Sequence, residues 1–451
     1  MWRVQTGTET TVQRGSVALH EPLPPLPAGG VVAALNLGRI DLEAWQAVAE
    51  RMGAAAAGPA AGAAGYLPQT LQLRAEELRA GTRFLSHVSG MLARQGTGNE
   101  LLWRARLEAD QLAGEIEYWP ASSAAQAGRL QARLQRLAVP QSEVAQVEQL
   151  LAQPPISVPA LDVVVDRFEL RGKSLGRLQV QAVNRTRPGR AGAPEWQLDK
   201  LSLSMPEAQL EASGRWSPGG ARRMTLDFGL DLADSGAFLE RLGAGQALRG
   251  GKGKLGGQLS WAGSPLTLDY PSMEGRLRLD VDAGQFLHAS PGGARLLGVL
   301  SLQALQRRLT LDFRDLFQEG FAFDSIAGDV VVAQGVARTD DLRMRGVQAT
   351  VLMQGSADLQ RETQDLRVLI VPNFDATTAA LATMAINPAI GLGTLFAQWA
   401  LREPLQAAGT SELHITGSWA DPQVQQVDRR AAATAAAAPS SPASTPRRSP
   451  P

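Results

Sequence analysis

Met224-Thr225-Leu226-Asp227-Phe228-Gly229-Leu230-Asp231-Leu232 alternates strictly between apolar and small or charged residues. A strand points successive side chains to opposite faces, so this segment has one dry face and one wet face. The pattern recurs. Leu277, Leu279 and Val281 alternate with Arg276, Arg278, Asp280 and Asp282, and Trp103, Ala105, Leu107 and Ala109 alternate with Arg104, Arg106, Glu108 and Asp110. Period two with one polar face predicts an antiparallel sheet, solvated on one side. The fold class expected is mainly β with minor α. The dry face needs a cover: another sheet, helices or a ligand.

The chain also repeats itself. Glu77-Leu78-Arg79 with Gly81 precedes a strand near residues 84–91, and Trp103 opens the next. Glu169-Leu170-Arg171 with Gly172 precedes a strand near residues 175–182, and Trp196 opens the next. Such repetition marks an elongated β-array rather than a compact enzyme. The expected organisation is strands plus a short helix capped by Asp41 over 1–52, an Ala/Gly-rich linker over 53–66, and repeated β-units over 67–220. A β-region with two helices follows over 221–375, an apolar helical hairpin over 376–402, a closing strand over 403–425, and a disordered Ala/Pro/Ser tail over 426–451. One helix is expected from Asp234 to Leu242, stopped by Gly243, with others at 294–308 and 141–152.

Lys+Arg and Asp+Glu balance at 44 each, so no global field attracts nucleic acid. Without cysteine there are no disulfides, no thiolate chemistry and no Cys-based zinc site. His20, His87, His288 and His414 show no metal-ligand spacing, so no metal or cofactor is expected. Met1 to Thr6 reads as a strand without an apolar signal segment, which suggests the later part of a longer protein.

Residues 376–401 hold no Asp, Glu, Lys or Arg. Asn387-Pro388 interrupts them, so two short helices are expected rather than one span. Leu381, Met384, Ile386, Ile390, Leu392, Leu395, Phe396 and Trp399 are the candidates for contact with a membrane surface. Ordinary packing of the pair on the end of a sheet is the alternative.

The motifs that hint at catalysis fail on context. Gly172-Lys173-Ser174-Leu175-Gly176 matches G-x-S-x-G, but a strand pattern follows where a nucleophile elbow needs a helix. Gly250-Gly251-Lys252-Gly253-Lys254-Leu255-Gly256-Gly257 lacks the Walker spacing and reads as a Gly-rich turn between strands. No catalytic residue is assigned. Three strands end alike, at Gly214-Arg215-Trp216 with Pro218, Gly257 to Trp261 with Pro265, and Gly417-Ser418-Trp419 with Pro422. Each reads as a strand terminator.

Several of these stretches together resemble the AsmA-like YhdP proteins of Gram-negative bacteria. They are the run from Asp234 to Trp261, Leu309 to Phe317 leading into Gly320–Asp324, Gly335 to Leu342, and Gly417 to Pro422. The similarity covers most of residues 1–425, in the order of that family's C-terminal part. The resemblance implies a long twisted β-groove in the periplasm that moves phospholipid between inner and outer membranes and supports the outer-membrane barrier. Trp103, Leu107, Leu226, Phe228, Leu230, Leu277, Leu279 and Val281 would then line the groove. The hairpin at 376–402 would meet the outer membrane, and an N-terminal inner-membrane anchor would lie outside this chain. The alternative is an envelope assembly factor that binds protein partners through its sheet.

Overall fold

The computed structural model describes residues 2–6, 9–44, 68–80, 83–96, 100–121, 127–140, 158–185, 195–217, 222–243, 248–265, 268–287, 321–347, 349–372 and 411–427. The expected helices at 141–152 and 294–308, the linker 53–66, the hairpin 376–402 and the tail from 428 onward lie outside them.

The described strands are β1 (Trp2–Thr6), β2 (Glu9–Leu19), β3 (Gly30–Asp41), β4 (Thr70–Ala80), β5 (Arg83–Gln95), β6 (Leu102–Glu108) and β7 (Leu112–Trp119). Then come β8 (Arg129–Val139), β9 (Ala160–Leu170), β10 (Lys173–Arg185), β11 (Glu195–Ser204), β12 (Ala208–Ser217), β13 (Arg223–Leu232) and β14 (Leu248–Ala262). The series ends with β15 (Glu274–Phe286), β16 (Phe321–Ala333), β17 (Val336–Arg345), β18 (Ala349–Asp358), β19 (Thr363–Pro372), β20 (Ser411–Ser418) and β21 (Pro422–Gln426). Each strand pairs with its neighbours in sequence, so all 21 form one open sheet.

The sheet is mainly antiparallel, as the alternation predicts, but β2–β3, β3–β4 and β8–β9 are parallel. A parallel neighbour needs a connection that returns to the starting end of the previous strand. The intervening segments, 20–29, 42–69 and 140–159, are long enough to do so. The two sequence repeats fall on the two strand sets entered through the parallel pairs β3–β4 and β8–β9. In each, a hairpin follows (β4–β5, β9–β10), then a strand that opens near Trp103 or Trp196. At the second hairpin Arg171 and Gly172 both take positive φ, 52° and 73°, as a two-residue primed turn requires. Ser174 is therefore the second residue of β10 and is no nucleophile elbow.

One helix, α1 (Ser235–Leu242), joins β13 to β14. Asp234 caps it by accepting from the Ala237 N–H at 2.9 Å, and Gly243 ends it in the left-handed region at φ 89°. Both ends follow the sequence expectation. Asp41 likewise accepts from the Glu43 and Ala44 N–H groups, each at 3.0 Å, and residues 42–44 turn helical.

The Gly-rich stretch 250–257 is not a turn. It lies inside the 15-residue strand β14. A Cβ added to Gly257, at φ +155°, would sit 2.0 Å from the Arg276 carbonyl oxygen, and on Gly275 it would sit 2.1 Å from the Gln258 oxygen. Glycine is there because neighbouring backbones approach more closely than any side chain permits.

α1 is held to the strand ends by an ion pair between a partly exposed arginine and a buried glutamate. Arg241 forks onto Glu207, with Nη2 donating to Oε2 at 3.0 Å, and its Nη1 donates to the Ser174 carbonyl at 2.9 Å. Glu207 is buried, and the Arg241 hydrogen bonds hold its carboxyl below the ordinary glutamate range. A depressed carboxyl contributes stability above its unfolded value of about 4.3, and that stability is lost as pH falls through the folded value. Arg241→Ala leaves the carboxylate buried and alone. The expected cost is about 2–3 kcal/mol, reduced from the fully buried case because Arg241 is partly open to water. Thermal melts should show that the stability gap between wild type and Glu207→Gln narrows below about pH 4. A gap that stays constant down to pH 3 would contradict this.

Candidate functional site: a continuous apolar sheet face

The strand register joins the predicted lining residues into one surface. Directly paired residues share a face of the sheet. One row runs Leu19, Leu35, Leu73, Gly90, Leu107, Gly114, Leu134 and Val165 across β2 to β9. It continues through Leu178, Leu203, Leu210, Leu230, Leu255, Leu279 and Gly328 on β10 to β16. Every position is Leu, Val or Gly. The neighbouring row, from Val17 and Ala33 through Ile116, Val163, Val180, Phe228, Gly257 and Leu277 to Val330, contains no polar residue either. A third row links Trp103 and Tyr118 through Leu161 and Leu198 to Leu226 and Val332. At about 4.8 Å per strand, fifteen strands carry this face over roughly 65 Å.

All eight predicted lining residues therefore lie on the same face. Leu230 and Val281 are buried, while Trp103, Leu107, Leu226, Phe228, Leu277 and Leu279 are half-buried. Along the face, buried clusters form around Val88, around Val165, around Trp216, and from Val281 through Phe321 to Val424. The last cluster continues the face onto β17–β21, where Leu342 pairs with Met353, Met353 with Val368, and Val368 with Leu413. Sequence reasoning missed this end, because β18 and β19 are apolar on both faces over part of their length and do not alternate cleanly.

The opposite face is charged. Gln72, Met91, Arg106, Glu115 and Arg133 form one of its rows. Arg106 donates to Glu115 at 2.9 Å and Arg104 to Glu117 at 2.7 Å, while Lys254 lies 2.9 Å from Asp231 and Arg278 3.3 Å from Asp329. Exposed pairs of this kind are screened by water and salt and add little to stability. They keep that face wet rather than hold the fold together. The glycines differ between faces as well. Gly229, on the charged side, has open space around it, whereas Gly257 and Gly275 on the apolar side press against the next strand.

A broad depression of about 1050 Å³ over β3–β10 is bordered by Glu21, Arg74, Arg106, Glu115, Arg133 and Arg177, together with Leu107 and Leu134. Its lining mixes these charged side chains with Leu35, Leu73, Met91 and Val164. Among the described residues no group of three or more acidic or histidine side chains could hold a metal ion. No helix among them is long and apolar enough to cross a membrane. Residues 381–399, the candidates for membrane contact, lie outside the described residues.

A Cys-free, charge-balanced chain that presents one apolar face across β2 to β21 is matched by a known protein. It is 31% identical over 226 residues to the intermembrane phospholipid transporter YhdP of Escherichia coli K12, a match covering 49% of this chain and 18% of that protein. The chain thus spans well under two thirds of that relative. No solved structure matches it. The model of the YhdP protein family matches residues 1–424, which takes in nearly every described strand, and the chain belongs to that family.

Proposed function

We propose that this chain is a stretch of a non-enzymatic lipid conduit, which moves phospholipid between the inner and outer membranes along the apolar face and so supports the outer-membrane barrier. The observation that carries this reading is the unbroken apolar row from Leu19 to Gly328. Three such rows, about 65 Å long and about 14 Å wide, make an apolar strip of roughly 900 Å², larger than the few hundred Å² that soluble proteins ordinarily leave open, and most of its side chains are only half-buried. Acyl chains lying on it remove that surface from water at about 25 cal/mol per Å². Sliding along such a face needs no catalytic group, cofactor or metal. The E. coli relative is named for the same cargo.

Photo-crosslinkers at positions 228 and 279 in the native envelope test the reading. Adducts to phospholipid are expected. Adducts to protein alone would favour an assembly factor that binds partners through the sheet.

The periplasmic location, an inner-membrane anchor beyond this chain, and contact of 376–402 with the outer-membrane surface belong to the same proposal. The uncharged composition of 376–401 supports the last of these. Deleting 376–402 is expected to reduce binding to phospholipid vesicles, and unchanged binding would return the segment to ordinary packing.

A further inference from the structure

The apolar face has two long rims, one at each set of strand ends, and their aromatic residues differ. One rim is traced by Gly30, Thr70, Leu102, Trp119, Arg129, Ala160, Arg185 and Glu195, and on through Ser217, Ala262, Asp358, Thr363 and Ser418. Every tryptophan among the described residues lies at this rim: Trp103, Trp119, Trp196, Trp216, Trp261 and Trp419, with Trp2 level with it by register. The described tyrosines are there too. Tyr118 pairs with Trp103, and Tyr270 sits in the short turn between β14 and β15. The three alike strand ends at Trp216, Trp261 and Trp419 are thus the sequence trace of one edge.

Phenylalanine is distributed the other way. Phe84, Phe168, Phe286, Phe321 and Phe323 lie at or near the opposite strand ends, Phe238 is in α1, and Phe228 is midway. α1 crosses that opposite rim from β14 back to β10, clasped by Arg241 to Glu207 and to the Ser174 carbonyl.

Trp and Tyr join an apolar body to a polar handle and favour the boundary between hydrocarbon and water, whereas Phe has no handle. At the tryptophan rim Trp196, Trp216 and Trp261 are buried in one cluster with Met224, Trp196 donating to the Pro159 carbonyl at 3.3 Å and Trp261 to the Ser264 carbonyl at 2.9 Å, whereas Trp103, Tyr118, Trp119, Tyr270 and Trp419 are partly or fully open and supply the boundary. The indole N–H groups of Trp216 and Trp419 are buried and meet no acceptor. Arg129 stacks 5.3 Å over the Trp119 ring.

We propose that the tryptophan–tyrosine rim is the headgroup rim: phospholipid lies across the strands with its headgroup at this edge and its tails directed toward the α1 rim. This rests on the conduit reading. The face is wide enough, because the nine residues from Ala208 to Trp216 on β12 cover about 27 Å and one leaflet's tails span about 15 Å. Lipids would then travel in file, all facing the same way.

The chain has no cysteine, so single reporters can be placed at will. Leu226→Cys and Leu232→Cys put a fluorophore near the tryptophan rim and near the α1 rim of one strand, about 20 Å apart. The full chain is mixed with phosphatidylethanolamine–phosphatidylglycerol vesicles that carry a nitroxide either on the headgroup or at the acyl terminus. Headgroup nitroxide is expected to quench position 226 several-fold more than 232, and acyl-terminal nitroxide to reverse the order. Equal or inverted quenching overturns the rim assignment and leaves the conduit standing. No quenching by either lipid, in protein with a native β-sheet spectrum, overturns the conduit and this inference with it.

Discussion

Phe228→Asp is expected to lower phospholipid adducts at a photo-crosslinker on the neighbouring position 226 at least tenfold, with the β-sheet circular dichroism spectrum unchanged. Phe228 is half-buried in the middle of the apolar face, paired in register with Gly257, which has no side chain. It is not locked inside a packed core, which is why the substitution should spare the fold. A carboxylate there faces hydrocarbon instead of water. A charge within lipid costs about 2.5–3.5 kcal/mol on insertion scales, and 1.4 kcal/mol is a factor of ten, so local occupancy should fall about a hundredfold. Leu279→Asp, two strands away on β15 and also half-buried, should act alike. Asp227→Asn, on the wet face of the same strand, is the control and should change nothing. If both apolar-face variants keep their lipid, the face is not where lipid lies.

Gly257→Val is expected to be the most destabilising single change in β14, and Gly229→Val on the adjacent strand to be nearly silent. The added Cβ at Gly257 would lie 2.0 Å from the Arg276 carbonyl oxygen, at a φ of +155° that β-branched residues do not adopt. The oxygen belongs to backbone, so no side-chain rotation relieves the clash. Relief requires β14 and β15 to separate, which breaks a ladder running from Leu248–Phe286 to Ser260–Glu274. A cost of about 3 kcal/mol or more follows, enough to lower the apparent melting temperature clearly or to abolish soluble expression. Gly229 meets nothing within 4 Å, and valine suits an exposed strand, so the change there should stay within about 0.5 kcal/mol. Equal effects at the two glycines would contradict the tight approach of strands on the apolar side.

Much of this was legible in residue order. The alternation at Met224–Leu232 and Leu277–Val281 gave the two faces, because strand geometry maps period two directly onto a sheet. The caps Asp234, Gly243 and Asp41 announced their helix ends through local chemistry that needs no tertiary context. Three features were not legible. The parallel pairs at β2–β4 and β8–β9 depend on where a connection returns, which no local pattern records. Gly250–Gly257 looked like a loop because glycine marks both turns and close backbone approach, and only the neighbour at 2.0 Å separates the two. The tryptophan rim depends on the direction of every strand at once. Its one sequence trace, the shared ending at Trp216, Trp261 and Trp419, read as three separate terminators.

The central claim is that the apolar rows from β2 to β16 are a lipid-bearing surface. The most direct test is mass spectrometry of phospholipid on the chain purified from bacterial envelopes without added lipid. Bound phospholipid at more than one molecule per chain is expected, since the face is several lipid widths long. Well-folded, monodisperse protein carrying none would contradict it.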